Sequence, residues 1–457
     1  LINVYHPTEM VKEIFSNEAG KTFAALKTDD SAVVWGNENY GGDTSLNGSD
    51  KLKNVRTIHA ANYAMAVVKH DGSVEAWGPT RNGGDASLVQ DKLNNITNIY
   101  SNAYSMVALN SDGGVVAWGD PNLYSDEYSD YPGFGGKIPN EKAELLKNGV
   151  VSITPTYYGA YAALKEDGTV VTWGDDLYGA KTLEEDSALP KITSLYSTRY
   201  AFSAIDINGN VIAWGNSNYG GDITYNNSKT PTNVVNIVSP NNSYNNYGAF
   251  AALTEEGEVI AWGYEDNEPA LTNIKQLFSS GRAMIALDGD GNATAWGFSA
   301  FGGDSGSLDL TNINDIYSSS NSFVAVKNDG SLVHWGWADA YPDDTKNIPM
   351  PVGLKNVETI TTNAEALVAL KQDGTLAVWG YDGRSDKTDQ NQYGNNGAIA
   401  DNVDDQLYNI AHVYASYSAF AAVSLDGRVV TWGKSDAGGD SDAVQDFLLA
   451  KAETEEK

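Results

Sequence analysis

The chain has 457 residues, 41% of them apolar, and carries 60 acidic against 29 basic side chains for a formal charge of -31. That charge repels phosphate backbones and anionic membranes, and no apolar run reaches the roughly 18 residues of a membrane span. The absence of cysteine removes disulfides, thiol catalysis and thiolate metal sites, and the length is that of two or three domains or of one repeat array.

The opening LINVYHPTEM has no initiator methionine, basic segment or apolar signal core, so it reads as a mature form or an excised piece. Within it, residues 1-10 could supply a closing strand to the last repeat. Val11 and Ile14 then begin a V-x-x-I strand, followed by FAALK, a turn at Asp29-Asp30, and AVVWG ending on Trp35-Gly36. The same sentence returns along the whole chain. Tryptophan-glycine pairs stand at Trp35, Trp77, Trp118, Trp173, Trp214, Trp262, Trp296, Trp335, Trp379 and Trp432. Nine are preceded by an Asp-Gly-like pair, from Asp71-Gly72 through Asn208-Gly209 and Glu256-Gly257 to Asp426-Gly427. Such pairs tolerate positive φ, as two-residue hairpin turns require.

The strands on either side, such as FVAVK and VIAWG, are apolar at successive positions, so both of their faces are covered and they read as interior strands. The V-x-x-I strand recurs upstream at Val55 and Ile58, Ile96 and Ile99, Val151 and Ile153, Ile274 and Leu277, Ile313 and Ile316, and Val357 and Ile360. Each unit of about 40 residues is therefore a sheet of three antiparallel strands, with room for a fourth in the linker. The fold class expected is all-β, a β-propeller built from ten repeats in one domain. The tryptophans, present in every copy, are expected to pack between blades.

The phrase A-L-x-x-D-G-x-V-x-x-W-G resembles the repeat of the regulator of chromosome condensation family from about Val11 to Asp440. The resemblance implies a propeller with one repeat per blade. Two features differ: the linker reads Gly-Gly-Asp (Gly41 to Asp43, Gly83 to Asp85, Gly220 to Asp222, Gly302 to Asp304, Gly438 to Asp440) instead of glycine-glutamine-leucine-glycine, and the Gly-x-x-His-Thr before the second strand is missing. This variant looks more like the repeats of bacterial secreted, adhesin and toxin-associated proteins, which implies secretion or display at a cell surface. Family members usually have seven blades. Ten copies favour one enlarged ring, with an open or spiral array second.

Extra length collects at Asp120 to Lys147, where NEKAELLK reads as helical, at SPNNSYNNYG, and at Tyr381 to Gln406. Residues 441-457 read as a polar tail. The five histidines, His6, His59, His70, His334 and His412, share no metal spacing, and His334 reads as a packed residue. DGDGN, Asp288 to Asn292, alternates carboxylates but lacks the bidentate Glu and glycine register of a calcium loop, so it reads as a hairpin before it reads as a calcium site. In Gly-Gly-Asp the Asp is expected to cap a turn.

The loop before the second strand varies while the strands do not. It carries Tyr63, Tyr104, Tyr158, Arg199, Tyr200, Tyr247, Arg282, Glu365 and Tyr417. These loops should emerge at one end of the propeller and the Asp-Gly hairpins at the other. Tyr and Arg anchor protein interfaces by combining contact area with hydrogen bonding, though tyrosines can equally cover strand ends. The expected function is a non-enzymatic binding module without cofactor, recognising a protein or glycan. The rivals are an enzyme inhibitor similar to the β-lactamase-inhibiting propeller and a guanine-nucleotide exchange effector, both implied by resemblance.

Overall fold

The computed structural model describes residues 11–16, 20–119, 133–180, 189–224, 229–240, 248–263, 269–336, 347–364, 366–381 and 403–449. They form ten antiparallel sheets, nine of three strands and one of four. The first strands of repeats 1 to 10 begin at Val11, Val55, Ile96, Val150, Ile192, Val234, Ile274, Ile313, Val357 and Ile410. Ten such sheets in series make the chain an all-β propeller-type repeat protein. Two compact units result. One comprises residues 1–80 and 344–457 and holds repeats 1, 2, 9 and 10; the other comprises residues 81–343 and holds repeats 3 to 8.

In repeat 1 the strands are Val11–Ser16, Thr22–Lys27 and Ala32–Gly36, and the second lies between the other two. All six residues of Thr22–Lys27 are buried, which is why its sequence runs apolar without alternation. The third strand is covered on its faces but lies at the sheet edge, and the linker covers that edge by several devices. The Asn47 amide pairs with Val34, accepting from its N–H at 2.8 Å and donating to its carbonyl at 2.9 Å, as a neighbouring strand would. Leu146 and Leu310 offer backbone carbonyls to Val115 and Ala293. In repeat 9, Asn347–Ile348 is a true fourth strand outside Leu376–Tyr381.

The core lies between neighbouring sheets. In the first unit Val11, Phe23 and Trp35 of repeat 1 pack with Ala419, Ala421 and Val429 of repeat 10. Val444 and Leu448 join that cluster from the 3₁₀ turn Asp442–Val444 and the short helix Gln445–Leu448. The segment expected as a polar tail from 441 is thus packed into the fold as far as Leu448, because its apolar residues are spaced to bury one side. Residues 1-10, expected to close the array, lie outside the described residues, as do 450–457.

Within each unit the first strands of neighbouring repeats adjoin, and in the second unit their ends are laced by hydroxyls. Ser197 donates to the Pro155 carbonyl at 2.7 Å, Ser239 to Ser197 at 2.7 Å, and Ser279 to Ser239 at 2.9 Å. Each first strand carries a register shift near its start. In repeat 4 the buried pair is Val150 and Ile153, whereas Val151 is 49% exposed, so the expected pair Val151 and Ile153 was misplaced by one residue at its start.

The Asp-Gly hairpins have three-residue loops instead of the expected two. Gly72 N–H bonds the Lys69 carbonyl and Lys69 N–H bonds that of Ser73, with only the glycine left-handed at φ 80°. Asp71 is there as a cap, its carboxylate accepting from Ser73 N–H and hydroxyl. Asp30 takes the glycine position in repeat 1 with φ 62°. The same capping governs DGDGN: Asp288 accepts from the backbone of Asp290 and Asn292 and from the Asn292 amide. That run is a hairpin. NEKAELLK forms a short helix at Asn140–Ala143.

Candidate functional site

Each third strand ends beside the loop that joins the first two, because the strands run up, down and up. The loop is pinned by a buried polar residue. In repeat 5 Thr198 Oγ1 accepts from Ala201 N–H at 3.1 Å and donates to the Tyr219 carbonyl at 3.0 Å. Asn102 in repeat 3 accepts from the N–H groups of Tyr104 and Ser105 and donates to the Phe134 carbonyl at 2.8 Å. Ser280 does the same between Ala283 and Phe301. The hydroxyl or amide therefore fastens the variable loop to the turn that leaves its own sheet.

That turn reaches the next repeat. Gly220 has φ +93°, and a Cβ there would meet Phe250 Cδ2 at 2.6 Å, so only glycine lets the chain pass over the neighbouring ring. Its carbonyl accepts from Trp262 Nε1 at 3.0 Å. Trp35, Trp77, Trp118, Trp173, Trp214 and Trp335 make the same bond to Gly438, Gly41, Gly83, Gly135, Gly179 and Gly302, at 2.8–3.2 Å. The indoles thus pack between repeats, and six are among the largest fully buried side chains. The Gly-Gly-Asp carboxylates cap turns, as Asp43 and Asp222 accept from Ser45 and Thr224.

On this scaffold the second unit gathers an aromatic row. Tyr104 lies 4.6 Å from Phe134 and 6.3 Å from Tyr158 between ring centres. Tyr158 is 5.3 Å from Tyr178 and 5.5 Å from Tyr200, and Tyr200 is 4.2 Å from Tyr219. All six rings are part-exposed. Arg199 sits beneath, 6% exposed, its guanidinium 4.4, 5.0 and 5.7 Å from the rings of Tyr158, Tyr157 and Tyr200. It also donates to the Tyr158 hydroxyl. Arg199 was expected at the contact surface; it is buried by the rings it holds and positions them. Burial pushes the Tyr200 hydroxyl up to about 12 against the pull of the Arg199 charge, so it stays a neutral donor.

Of the other sequence candidates, Tyr63 stacks on Tyr40 at 5.0 Å in the first unit, and Tyr417 is 40% exposed with its N–H on the Gly20 carbonyl. Arg282 covers Phe298 and Phe301 at 5.6 and 5.0 Å. Tyr247 and Glu365 lie outside the described residues. Sequence reasoning missed Tyr40, Phe134, Tyr178, Tyr219 and Phe301. Their signal was the aromatic just before the linker glycine, in NYGG, GFGG, LYGA and AFGG.

Among the described residues no group of three or more His, Asp or Glu is placed to hold a metal. The rings of His59 and His334 are held down to about 4 by burial, and His70 lies 3.0 Å from Asp30. No helix among the described residues is long and apolar enough to cross a membrane.

The geometry defines a propeller-type repeat protein with an aromatic loop surface. No family model matches the chain, and no curated protein matches it. Similar solved structures include Prp20p from Saccharomyces cerevisiae, 16% identical over 82% of this chain and 83% of that chain, with a TM-score of 0.33. The CRINKLY WD40 ectodomain of the Arabidopsis thaliana receptor kinase ACR4 is 14% identical over 62% and 95%, with a TM-score of 0.32. Human WBSCR16 is 15% identical over 60% and 74%, with a TM-score of 0.31. The fold assignment rests on the ten sheets themselves.

Proposed function

We propose that the protein is a non-enzymatic recognition module that binds a partner protein through the aromatic row of repeats 3 to 5. The observation that carries this reading is the continuity of the row: part-exposed rings from three variable loops and three linker turns touch in sequence over a buried cation. Rings pinned by hydrogen-bonded loops lose little conformational entropy on binding, which is what makes tyrosine an efficient interface residue. A glycan is the lesser reading, since sugar recognition needs free ring faces and the central rings spend theirs on one another. Secretion or surface display stays part of the proposal through the Gly-Gly-Asp repeat, and fractionation of the source cell tests it.

The test is retention of partner proteins by immobilised protein, comparing wild type with a Tyr104→Ala, Tyr158→Ala, Tyr200→Ala variant and with Leu177→Asn. Because the three tyrosines are packed, the triple variant should melt several degrees lower while remaining folded. Leu177, 69% exposed in the turn before Tyr178, can be changed without loss of packing. The triple variant should lose the partner and Leu177→Asn should retain less of it; identical retention by all three proteins would overturn the assignment.

A further inference from the structure

We infer that the segment recognised by the aromatic row is cationic, presenting arginine or lysine side chains among apolar ones. The inference rests on the proposed binding role of the row and adds the chemistry of its partner.

Three observations converge. The chain carries a formal charge of -31, and several of its cations are engaged in contacts within the fold, two of them buried. Lys27 is 8% exposed and Arg199 6%. Lys69 and Lys165 spend their ammonium groups on the carbonyls of Asp50 and Leu145 at the far ends of the sheets. Next, carboxylates flank the row at its own end. Asp176 stands two residues before Tyr178 and Asp222 three after Tyr219, both exposed, and Lys137 is the exposed cation of the Phe134 turn. Last, the row already solvates a guanidinium, since Arg199 lies within 5.7 Å of three tyrosine rings. Tyrosine rings present negative faces, so a second cation can meet the outer rings while its neighbours pack on Leu177. An anionic segment would meet net repulsion from the excess of carboxylates, relieved only near Lys137.

The sugar alternative is poorer on the same geometry. Tyr158 touches Tyr104, Tyr157, Tyr178 and Tyr200, and Tyr178 and Tyr200 stack within 26° of parallel. With these faces taken up by one another, a sugar finds no free face at the centre of the row.

The probe is a capped 12-residue peptide of alternating arginine and leucine, titrated by fluorescence anisotropy against the full chain. A matching glutamate-leucine peptide serves as control. General attraction to an acidic protein is separated by variants that leave the charge unchanged: Tyr104→Ala with Tyr158→Ala and Tyr200→Ala, and Leu177→Asn alone. The expected result is binding of the arginine peptide that weakens about tenfold in the triple variant and about threefold in Leu177→Asn. Asp176→Asn with Asp222→Asn should weaken it severalfold and flatten its salt dependence. Equal affinity in wild type and the triple variant overturns the inference, as does equal binding of the glutamate peptide. Row-dependent binding of a neutral oligosaccharide in place of the peptide also overturns it. If a partner is retained by wild type and lost from the triple variant while the arginine peptide fails, the recognition role stands and the cationic chemistry falls.

Discussion

The guanidinium of Arg199 lies 4.4 Å from the centre of the Tyr158 ring and donates through Nη2 to that ring's hydroxyl. A buried cation is thereby held by aromatic faces in place of water, and the outward rings inherit their positions from it.

Replacing Arg199 by Met should therefore disturb the row and the stability together, by about 2–4 kcal/mol for a buried charged group and its partner hydroxyl. Arg199→Lys should recover less than half of this, because an ammonium lacks the planar fork that faces three rings at once. Denaturant midpoints of the two variants check the ordering, and a lysine variant as stable as wild type contradicts it.

Trp77 and Trp118 make the same bond, each indole N–H donating at 2.8 Å to the carbonyl of a linker glycine in a preceding turn. Substituting Phe for either leaves that carbonyl without its indole donor and opens a small cavity, so each change should destabilise by about 2–4 kcal/mol. The two should agree within about 1 kcal/mol if the bond is a shared device. A large difference in their melting temperatures would show that one site depends on local context.

Two left-handed glycines offer an internal control. Gly220→Ala adds both a strained φ of +93° and a Cβ contact at 2.6 Å with Phe250, and should destabilise by about 3 kcal/mol or more. Gly306 has φ +56° with nothing within 4 Å of an added Cβ, so Gly306→Ala should carry only the backbone term of about 1 kcal/mol. Comparable losses would refute the separation of packing from conformation.

His59 and His334 have their pKa lowered to about 4 by burial, from an ordinary value of 6.5. In the window between, the unfolded chain binds protons that the folded chain refuses. Stability is thus fully present above about pH 6.5 and falls as the pH drops toward 4. Both residues are part-exposed as a whole, which limits the loss. His334→Asn combined with His59→Asn should flatten the melting temperature between pH 6.5 and 4; an unchanged slope would assign the acid sensitivity to other groups.

The sheets were legible because each repeat restates the same local physics: an apolar middle strand, an Asp-capped turn and an indole that must find an acceptor. What stayed hidden is what joins repeats. Asn54, Asn95, Asn233, Asn273, Asn312, Asn356 and Asn409 are all left-handed just before a first strand, yet asparagine there reads as an ordinary polar linker residue. The Gly257 carbonyl accepts from Ile274 N–H of the following repeat, a task invisible in a glycine assigned to a hairpin. At the site, the loop tyrosines were visible as variable positions. Their partners Tyr178 and Tyr219 were not, because each lies in the turn that leaves the sheet, about 20 residues after the loop tyrosine of its own repeat, and meets it only once the strands have folded back; Tyr178 also reaches Tyr200 of the next repeat. Arg199 misled for the same reason, since burial by rings from other repeats cannot be read along one strand.

The hydroxyl of Ser16 donates to the Ala415 carbonyl, 399 residues away. Repeats 3 to 8 come from one uninterrupted stretch, so their unit can assemble while the rest of the chain is still being made. Repeats 1 and 2 leave the ribosome first but share their unit with repeats 9 and 10. At about 5–20 residues per second they wait on the order of 20–80 s for those partners, with the faces around Phe23 and Trp35 uncovered. Nascent-chain proteolysis should find the first two repeats, the earliest made, among the last to become resistant.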